Sequence, residues 1–173
     1  MRLTVVGCTG SMSGPYSAAS SYLVQACGVD PETGENRTWN VVFDLGPGSF
    51  GALWRYIDAR KLDAVVLSHL HADHVGDVIS LQVHRHWYPT GPLGPVLLAG
   101  PEGLMDRVRG LDGFADDDDF EGDFDPVILR DGEPLTVGPL KITPYEGLHT
   151  VPSFGFRVEG PSEGNPAERV ELA

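Results

Sequence analysis

Four side chains of types that commonly bind metal ions lie within six positions of one another. Residues 65–77 read VVLSHLHADHVGD and contain His69, His71, Asp73 and His74. The whole chain has six histidines, and three of them fall in this stretch. Imidazole nitrogen binds zinc well, and a mixed imidazole and carboxylate set suits zinc, manganese or iron. The stretch therefore predicts a metal centre.

The apolar run before this motif decides where its side chains point. Residues 63–69, DAVVLSH, are typical of a strand that is buried on both faces. Residues two apart in an extended segment point to the same side, so His69 and His71 can address one ion just past the strand end. Asp73 and His74 follow as the chain turns toward a helix, and they can address a second point close by. Two ions about 3.5–4 Å apart that share a water serve in phosphodiester and amide hydrolysis.

A zinc centre built on His69 and His71 needs a third protein ligand. His149 lies at the end of a predicted strand and before a proline-containing turn, as in the first motif, but spacing alone leaves open an ordinary loop histidine. His84 and His86 fall within a predicted helix at a spacing of two, so they face different directions. We expect these two side chains to have surface or packing roles.

Composition narrows the class of protein. The chain has 173 residues, enough for one domain or a large part of one, and a net charge of -13. That charge argues against a broad nucleic-acid-binding surface, although it leaves room for a local basic pocket. No apolar run approaches the ~20 residues that span a bilayer, and Cys8 and Cys27 are too few for a secreted disulfide scaffold. We therefore expect a cytoplasmic protein with two free thiols and no membrane partner.

The predicted elements form a mixed α+β pattern rather than a regular alternation of strands and helices. Strands are predicted at 2–7, 21–26 and 39–46, as an antiparallel meander, then at 63–69 and 95–101, in several short pieces within 126–149, and in a closing hairpin of 153–160 with 168–173. Helices are predicted at 47–62, 75–88 and 102–111. The acidic segment 113–125 is predicted to be a solvated loop, with a cation-binding or gating loop as the alternative.

These stretches resemble the metallo-β-lactamase superfamily, whose signature is H-x-H-x-D-H. Within it, the chain is similar to the ribonuclease Z-like and cyclic-nucleotide phosphodiesterase branch. The matching stretches are LTVVGCTGS, SAASSYLV, VVFDLGPGSFGAL, VLSHLHADHVGDV and HTVPSFGFRVE. The resemblance implies an α+β fold, the αββα sandwich of two similar halves packed sheet to sheet. Residues 1–173 would form the N-terminal portion of one such domain, with no separate second domain.

The resemblance also implies a dinuclear site, most naturally of two zinc ions, with manganese or iron as alternatives. The first ion would take His69, His71 and His149 as ligands. Asp73 and His74 would contribute to the second ion, and Asp73 would also orient or deprotonate the shared water as the catalytic residue.

Asp44, in the stretch FDLG, resembles an aspartate that lies behind the site in the family. It would steady a histidine or the metal loop, and a turn or cap role is the alternative.

The match departs from the family near residue 173. The family has a further bridging aspartate in a Gly-Asp-Thr stretch and a late histidine, and neither occurs in this sequence. The resemblance therefore covers about the first two-thirds of a family domain, and we expect a truncated sandwich whose second half is largely missing. Such a chain would expose a large apolar sheet face, unless another chain covers it. We also expect the second metal site to be weak or empty.

Three functions remain open. The first is a metal-dependent phosphodiesterase that acts on a small nucleotide-type substrate such as a cyclic nucleotide. In that case the glycine-rich loop 7–14 could offer backbone N–H groups to a phosphate. The alternative for this loop is an ordinary flexible connection. The second is a ribonuclease Z-type tRNA 3′-processing endonuclease. It is less favoured, because residues 150–173 leave little room for a tRNA-gripping arm and the net charge is -13. The third is a catalytically incomplete fragment that acts as a metal-binding or interaction module. The resemblance also allows a homodimer.

Overall fold

The computed structural model describes residues 1–113 and 120–173. The strands of these ranges are β1 Arg2–Gly7, β2 Ser21–Val29, β3 Asn36–Phe43, β4 Ala64–Val66, β5 Val96–Gly100, β6 Phe124–Ile128, β7 Leu135–Val137, β8 Leu140–Glu146, β9 Phe154–Pro161 and β10 Arg169–Leu172. The α-helices are α1 Ser49–Leu53, α2 Ala72–Val75, α3 Val78–His86 and α4 Leu104–Asp112. Residues 114–119 of the acidic segment predicted at 113–125 lie outside the described residues. For the rest of the segment the prediction of a solvated loop is wrong at its end, because Phe120 and Asp123 are buried and β6 begins at Phe124.

The first sheet contains β1 to β6 in chain order. Strands β1, β2 and β3 pair antiparallel, which confirms the predicted meander, and β3 to β6 pair parallel. The carboxyl ends of β3 and β4 therefore lie at the same edge of the sheet. Asp44 directly follows β3, and the metal motif follows β4, so the topology brings both segments together.

Helices cover one face of this sheet. The apolar side chains between them form one core, with Leu23, Val42, Val65 and Leu98 from the sheet and Phe50, Leu53, Val78, Leu81, Leu104 and Val108 from the helices. All of these side chains are buried. The helix layer thus holds the buried parallel strands in place from one side.

A second sheet, in the order β10-β9-β8-β7, packs on the other face. Its inward side chains, Leu140, Ile142 and Val158, form a second core with Val41 and Val66 of the first sheet. The α+β metallo-β-lactamase-like fold expected from the sequence is therefore confirmed. Among the described residues the layers are helices, sheet and sheet, and no helix covers the outer face of the second sheet.

The expectation of a large exposed apolar sheet face is wrong. Strands β7 to β10 cover the first sheet, and their alternation puts charged side chains on the outer face of the second sheet. There Lys141 lies 3.0 Å from Glu159, and Arg157 lies 2.5 Å from Glu171. Some apolar surface remains at the edge strand β1, where Leu3 is 48 % exposed.

Two predicted helices are shorter than expected. The helix predicted at 47–62 ends at Leu53, and a 3₁₀ turn follows at Ala59–Lys61. Asp58 accepts a hydrogen bond from the backbone N–H of Arg60, which caps that turn and favours a new start over a continuous helix. The helix predicted at 75–88 is observed as α3, Val78–His86, and the separate short helix α2 precedes it, with Gly76 and Asp77 between the two.

Cys8 and Cys27 are both free and exposed, as expected. Across residues 1–113 and 120–173, none of the helices has the length and apolar character that crossing a membrane requires.

Candidate metal centre

Three histidine side chains converge at the edge where the two sheets meet. The candidate ligand atoms of His69, His71 and His149 all lie within 4.8 Å of one another. Their ring centroids are 4.9 Å apart for His69 and His71, 4.7 Å for His69 and His149, and 5.0 Å for His71 and His149. His69 is buried and His149 is exposed, so the cluster opens to solvent on one side.

The local chain path explains this convergence. Strand β4 is fully buried and ends at Val66, and His69 and His71 follow while the backbone is still extended, before α2 begins at Ala72. His149 lies in the loop between β8 and β9. The backbone N–H of Phe154, at the start of β9, donates to the carbonyl oxygen of Ser68 over 2.9 Å. This bond ties the second sheet to the metal motif and brings the loop with His149 beside it.

Asp73 and His74 form a second group beside the three histidines. His74 Nε2 lies 3.4 Å from Asp73 Oδ2, and the rings of His69 and His74 have centroids 4.0 Å apart. Both side chains are about one-fifth exposed. The structure thus places two further donors next to the histidine triangle, as the spacing of the motif predicts.

Asp44 contacts His74 of the second group and also bonds Ser68. Its carboxylate accepts from the backbone N–H of Ser68 at 2.8 Å and from the Ser68 hydroxyl at 2.9 Å, and it lies 2.6 Å from His74 Nδ1. Asp44 is buried and has a φ of 56°, in the left-handed region that aspartate enters more readily than most residues. Its backbone is also fixed, since its N–H donates to Val66 O over 3.0 Å.

The pKa values of His69 and His74 are shifted in opposite directions. Burial lowers the pKa of His69, and the neighbouring His74 lowers it further. Burial also opposes the charged form of His74, but the hydrogen bond and charge of Asp44 outweigh it, so the pKa of His74 is raised. The Asp44 carboxylate favours a proton on His74 Nδ1, which leaves Nε2 as the ring nitrogen that faces the site.

Two residues that sequence reasoning did not single out also shape the centre. The Ser68 hydroxyl lies 3.0 Å from His69 Nδ1 as well as bonding Asp44, so it connects the two ligand groups. Gly46 leaves space for the motif: a Cβ at this position would lie 2.0 Å from the backbone oxygen of Asp73. For Ser68, the only sequence feature that pointed to the centre was a hydroxyl side chain next to His69. For Gly46, nothing in the local sequence indicated that a side chain there would collide with the metal motif.

The other two histidines lie away from the triangle, in the roles expected from their spacing. His84 packs against the rings of Phe50, Trp54 and Tyr88. His86 Nδ1 lies 3.1 Å from the buried carboxylate of Asp123.

The donor set fits a divalent ion. A tetrahedral zinc ion with Zn–N bonds of about 2.0–2.1 Å separates its ligand nitrogens by roughly 3.3 Å. His149 Nε2 and His71 Nδ1 lie 3.3 Å apart. Three imidazoles leave a fourth position open for water or substrate, which is the arrangement of a catalytic rather than a structural site.

Comparison with known proteins agrees with this geometry. Residues 39–165 match the beta-lactamase superfamily domain. An uncharacterised protein of Mycobacterium tuberculosis is 40% identical over 164 residues, which cover 94% of this chain and 56% of that protein. The chain thus spans about half the length of the curated relatives it matches.

Solved structures show the same fold. The crystal structure of the metallo-beta-lactamase fold protein YhfI from Bacillus subtilis superposes with a TM-score of 0.69 at 24% identity, over 98% of this chain and 59% of that one. A long form RNase Z from yeast gives a TM-score of 0.71 at 14% identity, over 98% of this chain and 28% of that one. The domain match includes all five candidate ligands, and the folds agree over almost the whole chain; the chain therefore belongs to the beta-lactamase superfamily.

Proposed function

We propose that this chain carries the metal-binding centre of a metal-dependent hydrolase that acts on a nucleotide-type phosphodiester, such as a cyclic nucleotide. The observation that carries the proposal is the convergence of His69, His71 and His149 beside Asp73 and His74. Zinc is the expected metal, because imidazole is the predominant donor.

We assign different roles to the side chains of the centre: metal binding, orientation of a ligand and acceptance of a proton. When bound, divalent ions supply Lewis acidity and lower the pKa of water. The imidazoles of His69, His71 and His149 would hold an ion through ring nitrogens, and Asp44 orients the His74 ring through Nδ1. The carboxylate of Asp73, 22% exposed, faces the same point as His74 Nε2 and is placed to accept a proton from water.

Two observations favour a phosphoryl substrate. One of the structural neighbours is an RNase Z, a nuclease by name, and nucleases act on phosphodiesters. The glycine-rich loop 7–14 contacts the segment that follows Asp44, because the Ser13 hydroxyl donates to the carbonyl oxygen of Pro47. The N–H groups of Cys8, Thr9 and Gly14 bond within the protein, so residues 10–13 of this loop are the ones proposed to meet a phosphate. We infer a small nucleotide in the cytoplasm as the substrate.

The second candidate is a tRNA 3′-processing endonuclease of the ribonuclease Z type, which the likeness to the yeast enzyme favours. A long polyanion would have to approach a chain with a net charge of -13, which makes a small substrate the better fit. Turnover of cyclic AMP and of a tRNA precursor by a zinc-loaded form of the protein in which the second metal site is complete separates the two. For that form we expect hydrolysis of cyclic AMP, and its loss in a folded Asp73→Ala variant. Cleavage of the precursor alone would establish the endonuclease instead.

The third candidate is a metal-binding or interaction module without catalysis. Native mass spectrometry with metal analysis tests it on the 173-residue chain. Two metals per chain together with turnover support the hydrolase. One metal or none, with neither substrate consumed, supports the module, and a dimeric mass would identify a homodimer.

A further inference from the structure

A second polar groove lies at the other end of the first sheet, and the proposed hydrolase does not use it. The groove has a volume of about 580 Å³, and its lining includes four basic side chains, Arg2, Arg37, Arg60 and Lys61. The whole chain has 12 Lys and Arg residues against 25 Asp and Glu residues, so four cations around one groove stand out.

Ion pairs occupy two of these four cations. Arg37 lies 2.8 Å from Asp30 and 2.7 Å from Asp63, and Arg60 pairs with Asp58 at 2.5 Å. Within the part of the chain that the structure describes, the ion pairs at this groove leave Arg2 and Lys61 without a carboxylate partner. Both side chains are exposed. The four cations at the groove exceed the three carboxylates Asp30, Asp58 and Asp63 by one charge, and in the described part of the chain Arg2 and Lys61 are the two cations without a direct ion pair.

A row of buried amides holds the groove in shape. Arg2, Gln25 and Asn40 are direct cross-strand neighbours on β1, β2 and β3. Arg2 donates to Gln25 Oε1 over 2.6 Å, Gln25 Nε2 donates to Asn40 Oδ1 over 2.8 Å, and Asn40 Nδ2 donates to the Lys61 carbonyl oxygen over 2.8 Å. Gln25 and Asn40 are buried. The relay fixes the Arg2 guanidinium and the Lys61 backbone relative to each other, and it leaves other Arg2 N–H groups for a ligand.

The groove is separate from the metal centre. Asn40 precedes Asp44 by four residues of extended chain, which is about 13 Å at 3.3 Å per residue. Lys61 and Asp63 likewise precede β4, whereas the metal motif follows it. An anion in the groove would therefore not contact the candidate ligands.

We propose that this groove binds a small phosphoryl anion, with Arg2 and Lys61 as its principal contacts. Arg2 and Lys61 are exposed and make no direct ion pair among the described residues, and arginine and lysine are the usual phosphate-binding side chains. A small ligand is favoured over a nucleic acid or a membrane surface, because an extended polyanion would continue past the groove onto a chain with a net charge of -13.

Isothermal titration with inorganic pyrophosphate at low ionic strength tests the proposal on the full 173-residue chain. Each cation near 4 Å is worth roughly a factor of five in water, so Arg2→Gln with Lys61→Gln should weaken binding at least about tenfold. Lys141→Gln with Arg169→Gln removes the same charge from the second sheet, where Lys141 pairs with Glu159, and should change affinity less than about twofold. Because all proteins carry the same metal centre, the difference between the pairs reports the groove.

Nuclear magnetic resonance locates the bound anion. The side-chain amide signals of Gln25 and Asn40 should shift on titration, since they form the relay behind Arg2. Lys61→Gln alone, at an exposed side chain outside the relay contacts, gives a second measurement if the double variant loses its fold, and it should weaken binding about fivefold. Absence of binding by the wild type, or equal affinity in the two charge-matched variants, would overturn the proposal.

Discussion

The Asp44 carboxylate lies 2.6 Å from His74 Nδ1 and also accepts two hydrogen bonds from Ser68. One buried side chain after β3 therefore fixes the side chain of a candidate ligand and the backbone at the start of the metal motif. The left-handed backbone of Asp44, with a φ of 56°, is maintained by these bonds. The centre thus depends on a contact between segments 30 residues apart.

Asp44→Asn should weaken zinc binding by about 10–100-fold. Asparagine keeps the size and tolerates the backbone, but it cannot supply the charge that orients His74 and, through the Ser68 hydroxyl, His69 of the first site. Competition with a chromophoric chelator measures the affinity. Asp125→Asn, at an exposed position on β6, removes one negative charge elsewhere and should bind zinc as the wild type does. Equal affinity in both variants would show that Asp44 is only a structural turn residue.

His149→Gln should lower zinc affinity about a hundredfold or more, since apparent binding free energies of about 10–16 kcal/mol spread over four ligands give roughly 3 kcal/mol for each. The control variant is His86→Gln. His86 contacts Asp123 and is not one of the three clustered histidines. Its zinc affinity should be unchanged even if its melting temperature falls. A His149→Gln protein that keeps wild-type affinity would remove His149 from the ligand set.

The local part of the centre could be predicted from the sequence because it lies on one short stretch. His69 and His71 share a direction in an extended segment, and the apolar run before them identifies the strand. His149 lies 78 residues from His71, and spacing alone left its role open. The Ser68 contact with Asp44 depends on the pairing of β3 with β4, which no local pattern expresses.

In the fold, too, local sequence patterns predicted some features, and long-range contacts decided others. Strands and the closing hairpin of β9 and β10 follow alternation and turn residues, and they were predicted close to their observed positions. Helix ends were predicted poorly, because the cap at Asp58 and the break at Gly76 compete with the apolar periodicity. The covering of the first sheet by β7 to β10 arises from long-range packing of residues such as Ile142 and Val158, which the short strands did not reveal.

His84 should make stability depend on pH. Burial among aromatic rings lowers its pKa, so the folded state favours neutral imidazole while the unfolded chain titrates near about 6.5. As the pH falls through about 6.5, the unfolded state gains a proton first and the free energy of unfolding decreases, until the pH passes below the folded pKa. Urea denaturation from pH 8 to pH 5 measures this.

His84→Phe is the matched variant for this effect. It keeps an aromatic ring between Trp54 and Tyr88, and His84 Nε2 is buried without a hydrogen-bond partner, so no such bond is lost at that atom. At pH 8 the two proteins should have similar stability. Toward pH 5 the variant should become the more stable of the two, and a constant difference across the range would contradict the titration of His84.

Gly46→Ala should damage both the fold and the centre. The added Cβ would lie 2.0 Å from the Asp73 backbone oxygen and 2.8 Å from the Ala19 Cβ, and neither atom belongs to a flexible side-chain end. Since Leu45 N–H also donates to the carbonyl oxygen of His74 over 2.7 Å, relief of the clash must move α2 away from β3. We expect a loss of about 1–3 kcal/mol in the free energy of unfolding, with weaker zinc binding.

Gly51→Ala is the counterpart that separates this clash from a general effect of replacing glycine. Gly51 lies within α1, and a Cβ there meets nothing within 4 Å. Alanine is the better helix former, so this variant should gain up to about 1 kcal/mol and keep its zinc affinity. If Gly46→Ala instead matches Gly51→Ala in both urea denaturation and zinc titration, then the close approach at Gly46 does not position Asp73 and His74.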